Sequence, residues 1–354
     1  MKYAINRIVL STCLLFSMSA HAGYDEGKAA YDKQDYATAL KEWQPLANQG
    51  NAAAQKGIGW MYDNGLGVPQ DYKEAVKWYR LAADQGNAQA QFNLGVSYAN
   101  GQGVPQDNKA AVKWYRLAAN QGDVQAQTNL GAAYTNGQGI AKDDKEAVKW
   151  YRLAANQGEV IAQTNLGMSY AYGQGIPQDY NEAAKWNERA AEQGNAQAQA
   201  YLGAAYADGY GVSQDAKVAV KWYRLAAEQG VASAQNNLGT LYQFGKGVTP
   251  NAQEAVKWYR LAAEQGFAIA QNNLGTMYEL GKGVTLDAKV AVKWYRLAAG
   301  QGNADAQTNL GYMYDTGNGV VQDLKEAVKW YRLAADQGNA TAQKRLQQLN
   351  NPNP

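Results

Sequence analysis

The stretch Ala75-Val-Lys-Trp-Tyr-Arg-Leu-Ala-Ala83 decides the fold of this chain of 354 residues. An altered copy stands at 183–191, and the tryptophans of neighbouring copies, such as Trp78 and Trp114, are 36 residues apart. A fixed period of that length is typical of a solenoid, in which small helical units stack because none can bury its apolar face alone. Unchanged copies lie at 111–119, 147–155, 219–227, 255–263, 291–299 and 327–335.

The first 22 residues have the pattern of a secretory signal peptide. Lys2 and Arg7 form a short basic segment, residues 8–18 are mostly apolar, and Ala20-His21-Ala22 matches a small-x-small cleavage site. The apolar segment is too short to span a bilayer. We therefore predict cleavage after residue 22 and export to the periplasm, with secretion beyond it as an alternative location. Retention as a membrane anchor is the other alternative.

Cleavage would remove the single cysteine and the single histidine of the chain, Cys13 and His21. It would also remove two of the 33 basic residues and no acidic one, so that 31 basic groups remain against 31 acidic groups. A balanced charge argues against nucleic acid or an anionic membrane as the main partner. A chain without thiol or imidazole lacks the usual zinc ligands and catalytic bases. We expect no metal, no cofactor and no disulfide.

The chain divides at repeat boundaries. Residues 23–50 are predicted to form a divergent helix pair, in which Pro45 shortens or kinks the second helix. Residues 339–354 match only the start of a further repeat and then turn polar, which predicts a capping helix followed by a short tail. Eight complete repeats fill the range 51–338, at 51–86, 87–122, 123–158, 159–194, 195–230, 231–266, 267–302 and 303–338.

The repeat 87–122 shows the predicted helix pair. Asn87 is a favourable N-cap for a first helix, and Asp107 is one for the second helix, which carries the Trp motif. Gly122 is the expected terminator of that second helix.

Other repeats vary these caps. In several of them a Glu stands three residues after the capping acid, as Glu74 follows Asp71, which predicts a reciprocal capping box. Three first helices are expected to begin less firmly because the usual Asn or Asp is replaced, by Glu159, Val231 and Phe267.

A glycine recurs in the middle of the first helix, as at Gly95. A mid-helix glycine costs about 1 kcal/mol relative to alanine, which is tolerable where a neighbouring helix leaves no room for a methyl group. The small pair Ala82-Ala83 on the second helix is the predicted neighbour. Trp78 and its equivalents are predicted to supply most of the core between repeats, and Arg80 is predicted to lie on a solvated outer face.

The repeat resembles the Sel1-like repeat, a relative of the tetratricopeptide repeat. The residues that carry the likeness are Ala88-x-Ala-Gln-x-Asn-Leu-Gly-x-x-Tyr98, then Gly101-x-Gly-Val104 with Asp107, then Ala111-x-Lys-Trp-Tyr115 with Ala118-Ala119-x-Gln-Gly122. The likeness covers about residues 51–345. It implies an all-α fold, a right-handed α/α solenoid of eight helix pairs with a divergent N-terminal pair and a C-terminal capping helix.

The resemblance implies a protein-interaction scaffold rather than one particular activity. Exported bacterial members of the family include envelope regulators, assembly scaffolds and immunity proteins against secreted toxins. Cysteine-rich members have been linked to β-lactam binding or hydrolysis, and this chain lacks their cysteines. Our hypothesis is a non-catalytic scaffold or regulator of the bacterial cell envelope. The alternatives are an immunity protein and a hydrolase of cell-wall or β-lactam substrates.

The sequence offers little else that points to catalysis. Turns such as Gly101-Gln-Gly103 join two helices and have no preceding strand, so they do not fit a nucleotide-binding loop. Nearly every carboxylate is a predicted cap or surface partner, and we expect no enzyme activity. The altered copy at 183–191 differs from the motif at four positions, among them Asn187 and Glu188. It is either a diverged repeat that still stacks or a local bend or binding feature.

The variable positions predict the binding face. Positions 92, 96 and 99 and their equivalents share one side of the first helix and change between repeats, whereas Leu94 and Tyr98 recur on the other side. First helices line the concave side of such solenoids, so we predict that this side binds another protein or a peptide. The predicted anchors are Trp60, Phe92, Met168 and Tyr312.

An asparagine series flanks these variable positions. An amide offers two donors and an acceptor, which suits bonding to the backbone of an extended peptide. The alternative is that each asparagine bonds the adjacent repeat. The predicted backbone clamps are Asn93, Asn129, Asn165, Asn237, Asn273 and Asn309.

Overall fold

The computed structural model describes residues 23–350. The predicted signal peptide, with Cys13 and His21, and the tail at 351–354 lie outside these residues. All regular secondary structure in 23–350 is helical. It forms two compact units, 23–178 and 179–350, which are described separately. None of the described helices has both the length and the apolar character that a membrane crossing requires.

The first unit consists of nine described helices. Helix α1 covers residues 23–32 of the described chain. Each of the other helices has 13 residues and is therefore about 20 Å long. They are α2 (Tyr36–Asn48), α3 (Ala52–Asn64), α4 (Tyr72–Asp84), α5 (Ala88–Asn100), α6 (Asn108–Asn120), α7 (Val124–Asn136), α8 (Asp144–Asn156) and α9 (Val160–Tyr172).

The second unit continues the same alternation and ends in a shorter helix. From α3 onwards, odd-numbered helices open a repeat and even-numbered helices carry the Trp motif. The helices are α10 (Tyr180–Glu192), α11 (Ala196–Asp208), α12 (Ala216–Glu228), α13 (Ala232–Phe244), α14 (Ala252–Glu264), α15 (Ala268–Leu280), α16 (Ala288–Gly300), α17 (Ala304–Thr316), α18 (Leu324–Asp336) and α19 (Ala340–Asn350).

The caps predicted for the repeat 87–122 are formed. The Asn87 side chain accepts a hydrogen bond from the Ala90 N–H at 2.9 Å, and the Asp107 carboxylate accepts one from the Ala110 N–H at 3.0 Å. Gly122 follows α6 with φ at 93°, in the left-handed region where a side chain would be strained. The predicted start and end of the helix pair are confirmed.

The prediction of a reciprocal capping box is wrong, because only one of its two hydrogen bonds is formed. Asp71 does accept a bond from the Glu74 N–H, at 3.1 Å. Its own N–H, however, donates to the Tyr62 carbonyl at 2.9 Å and is not free for the Glu74 carboxylate. That carboxylate pairs instead with Lys77 at 2.8 Å.

Of the three atypical caps, only two leave a helix without a side-chain cap. Glu159 accepts a bond from the Ala162 N–H, so the prediction of a weak start is wrong there. Val231 and Phe267 make no side-chain cap bond, and both pack against the apolar core of their repeats instead. For these two helices the prediction is confirmed.

The tyrosine of the motif, rather than the tryptophan, fills the space between the two helices of a repeat. Tyr79 is fully buried, whereas Trp78 is only partly buried. A methyl group on Gly95 would lie 2.6 Å from the Tyr115 ring. The recurring glycine therefore makes room for the tyrosine ring. The predictions that tryptophan dominates the core and that the pair Ala82-Ala83 faces the glycine are both wrong.

A buried glutamine connects three helices at seven of the interfaces between repeats. Gln91 is 4% exposed, and its Nε2 donates to the Ala83 carbonyl of the preceding repeat at 3.0 Å. Its Oε1 accepts from Gln121 Nε2 at 2.8 Å, at the end of the second helix of the same repeat. The same two bonds form at Gln55, Gln127, Gln199, Gln235, Gln271 and Gln307.

The motif arginine is exposed or partly exposed, which agrees with its predicted place on the outer face, and it also joins repeats. Arg80 donates to the Tyr98 hydroxyl on the first helix of the next repeat. Its guanidinium lies 5.7 Å from the centre of that ring, within the range of a cation–π interaction. Equivalent bonds join Arg116 to Tyr134, Arg152 to Tyr170, Arg224 to Tyr242, Arg260 to Tyr278 and Arg296 to Tyr314.

The altered copy keeps its helix, α10, but changes these contacts. Asn187 stands where the other copies have the core tyrosine; it is 4% exposed, and its Oδ1 has no hydrogen-bond donor among residues 23–350. A buried acceptor without a donor costs about 1–3 kcal/mol. Glu188 replaces the motif arginine, and the guanidinium of Arg189 lies 4.5 Å from the Trp186 ring. This copy lacks both the core ring and the arginine of its sisters.

Replacing Gly95 with alanine is expected to destabilise the protein. The new methyl group would overlap the buried Tyr115 ring, and such overpacking costs about 1–3 kcal/mol, more than the helix-propensity gain of about 1 kcal/mol. Gly300→Ala is the matched control, because no atom lies within 4 Å of its added methyl group. We expect a lower urea midpoint for Gly95→Ala and an unchanged or higher one for Gly300→Ala. A raised midpoint for Gly95→Ala would contradict the packing described above.

Candidate partner-binding face

The predicted binding residues fall into two sets, one in each unit. We call the first set the N-terminal face. It lies on α3, α5, α7 and α9 and contains Trp60, Phe92, Asn93, Asn129, Asn165 and Met168. We call the second set the C-terminal face. It lies on α13, α15 and α17 and contains Asn237, Asn273, Asn309 and Tyr312.

The four predicted anchors differ in how much surface they offer. Trp60 is 41% exposed and Tyr312 is 40% exposed, so both present a large aromatic surface to a partner. Met168 is partly exposed. Phe92 packs against the core of its repeat, with its ring centre 6.0 Å from that of Tyr115. Two strong anchors, Trp60 and Tyr312, are therefore available, one on each face.

The asparagines of the C-terminal face bond the preceding repeat. Each donates from Nδ2 over 2.9–3.1 Å, which is the alternative that the sequence left open for the series. The bonds run from Asn237 to the Tyr223 hydroxyl, from Asn273 to Asn236 and from Asn309 to Asn272. These three amides help to hold neighbouring repeats together.

Two asparagines of the N-terminal face also lie beside a tyrosine hydroxyl of the preceding repeat, Asn93 beside that of Tyr79 and Asn129 beside that of Tyr115. Asn93 is 7% exposed, and its Nδ2 makes no hydrogen bond of normal geometry with any described residue. Asn129 and Asn165 are partly exposed. Asn129 lies beside the Tyr115 hydroxyl and lowers the pKa of that group against the opposing effect of burial.

The buried tyrosines bring their hydroxyl groups to these faces. In four repeats the hydroxyl donates to the residue at the position equivalent to 99, which belongs to the variable set. The pairs are Tyr79 with Asp63, Tyr259 with Gln243, Tyr295 with Glu279 and Tyr331 with Asp315. Part of the variation on this side of the helix therefore reflects how each repeat satisfies its own core.

Where the position equivalent to 99 is alanine, a cavity opens beside the tyrosine. A cavity of about 150 Å³ is lined by Ala99, Tyr115 and Asn129, among others. A larger one of about 430 Å³ is lined by residues that include Ala207 and Asn237. Each combines apolar walls with a few hydrogen-bonding groups, which is typical of binding sites.

Burial keeps these tyrosine hydroxyls protonated. Loss of solvent raises the pKa of Tyr115 and that of Tyr223 to about 12, against the weaker opposing effect of the neighbouring asparagines. The two hydroxyls therefore stay protonated above pH 10.0, and as neutral groups they both donate and accept hydrogen bonds.

A third cavity, which we call the N-terminal pocket, was not predicted from the sequence. It measures about 350 Å³ and forms where the divergent pair meets the first repeat. The sequence signal for it was the density of aromatic residues in 23–50, but their side chains converge only once α1 and α2 pack against α3. Its lining residues are Tyr24, Lys28, Tyr31, Asp32, Trp43, Lys56, Gly57, Trp60, Gln89 and Asn93.

The described residues contain no metal site of the common kind. Across 23–350, no three side chains of His, Cys, Asp or Glu gather closely enough to hold an ion. What the two faces offer is hydrogen bonding by amides and hydroxyls beside exposed aromatic rings. That chemistry suits the binding of a polypeptide.

The repeats match a known sequence profile. The sequence profile of the Sel1 repeat matches eight times, at 52–87, 88–123, 124–159, 160–195, 196–231, 232–267, 268–303 and 304–339. No curated protein matches the chain.

Two solved structures are similar over most of the chain. One is a protective antigen of uropathogenic Escherichia coli with an SLR fold, at 41% identity and a TM-score of 0.77. That likeness covers 87% of this chain and 66% of the antigen, so this chain spans just under two thirds of its length. The other is a Sel1 repeat protein from Oxalobacter formigenes, at 36% identity and a TM-score of 0.65, which covers 88% of this chain and 90% of that one.

An immunity protein from Pseudomonas aeruginosa is more distant. It shares 22% identity over 62% of this chain and 83% of its own, with a TM-score of 0.38. A likeness of that degree carries no argument about function.

Replacing Tyr115 with Phe is expected to make the protein less sensitive to alkaline pH. The unfolded chain ionises this hydroxyl near pH 10.0, whereas the folded protein keeps its proton up to about pH 12. Across that window wild-type stability should fall by up to about 1.4 kcal/mol per pH unit on account of this group, because only the unfolded state loses the proton. Urea midpoints measured between pH 9 and pH 12 should fall less steeply for the variant.

The control for that experiment is Tyr172→Phe, since Tyr172 is 61% exposed. It should leave the pH slope of the wild type unchanged. An equal slope for Tyr115→Phe and the wild type would show that the hydroxyl is not held protonated by burial.

Proposed function

Because the chain belongs to the Sel1 repeat family, we propose that it is a non-catalytic scaffold or regulator that binds another protein through the first helices of its repeats. The family profile and the two similar structures support a protein-interaction role. The signal-peptide pattern at residues 1–22 supports an exported protein of the bacterial cell envelope. Its balanced charge supports a protein partner over nucleic acid or an anionic membrane surface.

One observation carries the proposal. Three asparagines of the series, Asn93, Asn129 and Asn237, each line a cavity on the first-helix side of their repeats. A cavity that holds an amide beside an aromatic ring can take a side chain of the partner while the amide bonds its backbone. Within the first unit the arrangement occurs twice, at Asn93 and at Asn129, and this repetition suits an extended segment, whose side chains recur at regular intervals.

The two faces contribute in different ways. On the C-terminal face, Asn273 and Asn309 already bond the preceding repeat, so they position their helices. On the N-terminal face, Asn129 and Asn165 are partly exposed and act as the backbone clamps. Trp60 and Tyr312 are the aromatic anchors, of the residue type that most often dominates binding energy at interfaces.

We expect the double variant Asn129→Ala with Asn165→Ala to bind the partner at least tenfold more weakly. Each lost backbone bond contributes about 0.5–1.5 kcal/mol, so two of them correspond to a factor of roughly ten. The partner is to be captured by crosslinking in cells, identified, purified and titrated by calorimetry. Helical content, measured by far-ultraviolet circular dichroism, should stay that of the wild type.

The matched control is Asn273→Ala, which removes an inter-repeat bond at the equivalent position of a different repeat. It should lower the urea midpoint while changing partner affinity less than the double variant does. If the double variant retains wild-type affinity, the asparagines are not clamps. Asn237→Ala combines both effects, because Asn237 lines a cavity and also bonds the Tyr223 hydroxyl.

A scaffold is also expected to show no turnover of cell-wall or β-lactam substrates. Purified protein incubated with peptidoglycan or a chromogenic β-lactam should release product no faster than buffer alone. Turnover that copurifies with the protein and is lost on heat unfolding would contradict a non-catalytic role.

A further inference from the structure

The N-terminal pocket has the composition of a site for a negatively charged chain end. We propose that it binds the free α-carboxylate of a partner segment whose last residue is apolar. This inference rests on the proposed function, since it specifies which part of the partner enters this end of the N-terminal face.

The aromatic wall of the pocket is built around Trp43. Its ring is held between two glycines, because a methyl group would lie 2.5 Å from the ring at Gly27 and 2.8 Å from it at Gly57. Tyr24 and Tyr31 stack on the same ring, with centres 5.9 and 5.6 Å away. Because the Trp43 ring is confined by these four residues, it has little freedom to move into the cavity. The pocket is therefore preformed.

The two indole N–H groups of this wall are already bonded. Trp43 Nε1 donates to the Tyr24 carbonyl at 3.2 Å, and Trp60 Nε1 donates to the Tyr31 hydroxyl at 2.8 Å. The rings therefore offer the ligand mainly apolar surface. An apolar side chain is the group that such a wall favours.

The charge of the pocket is not balanced. Lys28 pairs with Asp32 at 2.8 Å, which neutralises both. Lys56 is partly buried and has no acidic partner among the described residues. Burial lowers the pKa of its ammonium group, and the nearby Lys28 lowers it further. A ligand carboxylate would supply the missing negative charge and a charge-assisted hydrogen bond.

A second hydrogen-bond donor in the lining also lacks a partner. Asn93 is 7% exposed, and its Nδ2, although it lies near the Tyr79 hydroxyl, makes no hydrogen bond of normal geometry with any described residue. Leaving such a group unbonded destabilises the fold. A carboxylate has two oxygens and can accept from both Lys56 and Asn93, so one ligand group would satisfy both donors.

The geometry favours a chain end over other anions. In a terminal residue the carboxylate and the side chain are attached to the same carbon atom. Such a residue can place its carboxylate near Lys56 and its side chain against the aromatic wall, because both line one cavity of about 350 Å³. A phosphate group carries nearly two charges, whereas Lys56 is the single unpaired cation of the lining. An internal glutamate would require the cavity to admit a chain that continues past it.

The test uses three short peptides titrated into purified protein by calorimetry. The first is N-acetyl-Ala-Ala-Ala-Leu with a free carboxyl end, the second is its C-terminal amide, and the third is the amide of N-acetyl-Ala-Glu-Ala-Leu. We expect the free acid to bind at least tenfold more tightly than either amide. Equal binding of the free acid and its amide would overturn the proposal. Equal binding of the internal glutamate would overturn the assignment to a chain end.

Two lysine variants test the charge. Lys56→Gln should weaken binding of the free acid at least tenfold and bring it close to that of the amide. Lys73→Gln removes an exposed lysine outside the lining and should leave binding unchanged. Equal affinity of Lys56→Gln and the wild type would overturn the proposal.

Asn93→Leu separates a binding role from a structural one. Removal of an unbonded buried amide should raise the thermal midpoint, while the loss of a donor should weaken binding of the free acid. A lower midpoint with unchanged binding would show that Asn93 serves the fold alone and would overturn its part in the site.

These outcomes are distinguishable from failure of the proposed function. If the wild type captures a partner and Lys56→Gln binds that partner as tightly, only the pocket proposal fails. If the wild type has no protein partner, the proposed function fails, and the peptide titrations still report whether the pocket takes a carboxylate.

Discussion

Seven of the repeats depend on one buried amide that bonds in two directions. Gln91 donates to a carbonyl of the preceding repeat and accepts from Gln121 at the end of its own second helix. A neutral amide can do both, whereas a carboxylate would lack the donor and an ammonium group the acceptor. Because leaving either half unbonded in the core costs about 1–3 kcal/mol, three helices must meet at a fixed register. That requirement explains why the 36-residue spacing is kept without insertion.

The core also shapes the surface that meets a partner. Gly95 admits the ring of Tyr115 between the two helices, and the far end of that ring reaches the first-helix side. The residue beside the hydroxyl then either bonds it, as Asp63 bonds Tyr79, or leaves space, as Ala99 does. The core tyrosine is thus bonded by a polar side chain in some repeats and lies beside an open cavity in others.

The sequence predicted the period, the helix pairs and most caps, because these follow from local spacing and from residues with strong backbone preferences. It did not distinguish Trp78 from Tyr79 as the core residue. The two are adjacent aromatic residues about 100° apart on the helix, and periodicity alone does not show which one faces the glycine. The bond of Asn273 to the preceding repeat was one of two alternatives that the sequence left open, and the cavity around Lys56 was missed, since both depend on how another helix packs against them.

The arginine–tyrosine bond gives the array a direction. The motif arginines of six repeats, such as Arg80, reach the following repeat, so six junctions are made by the same pair of side chains. Loss of the segment 87–122 would therefore place Arg80 before Tyr134, its next equivalent acceptor, and rebuild a junction of the same composition. Unequal recombination can therefore lengthen or shorten the gene by whole repeats. The protein then needs no new kind of interface. The junction after the altered copy differs, because Glu188 stands there at the position of the motif arginine.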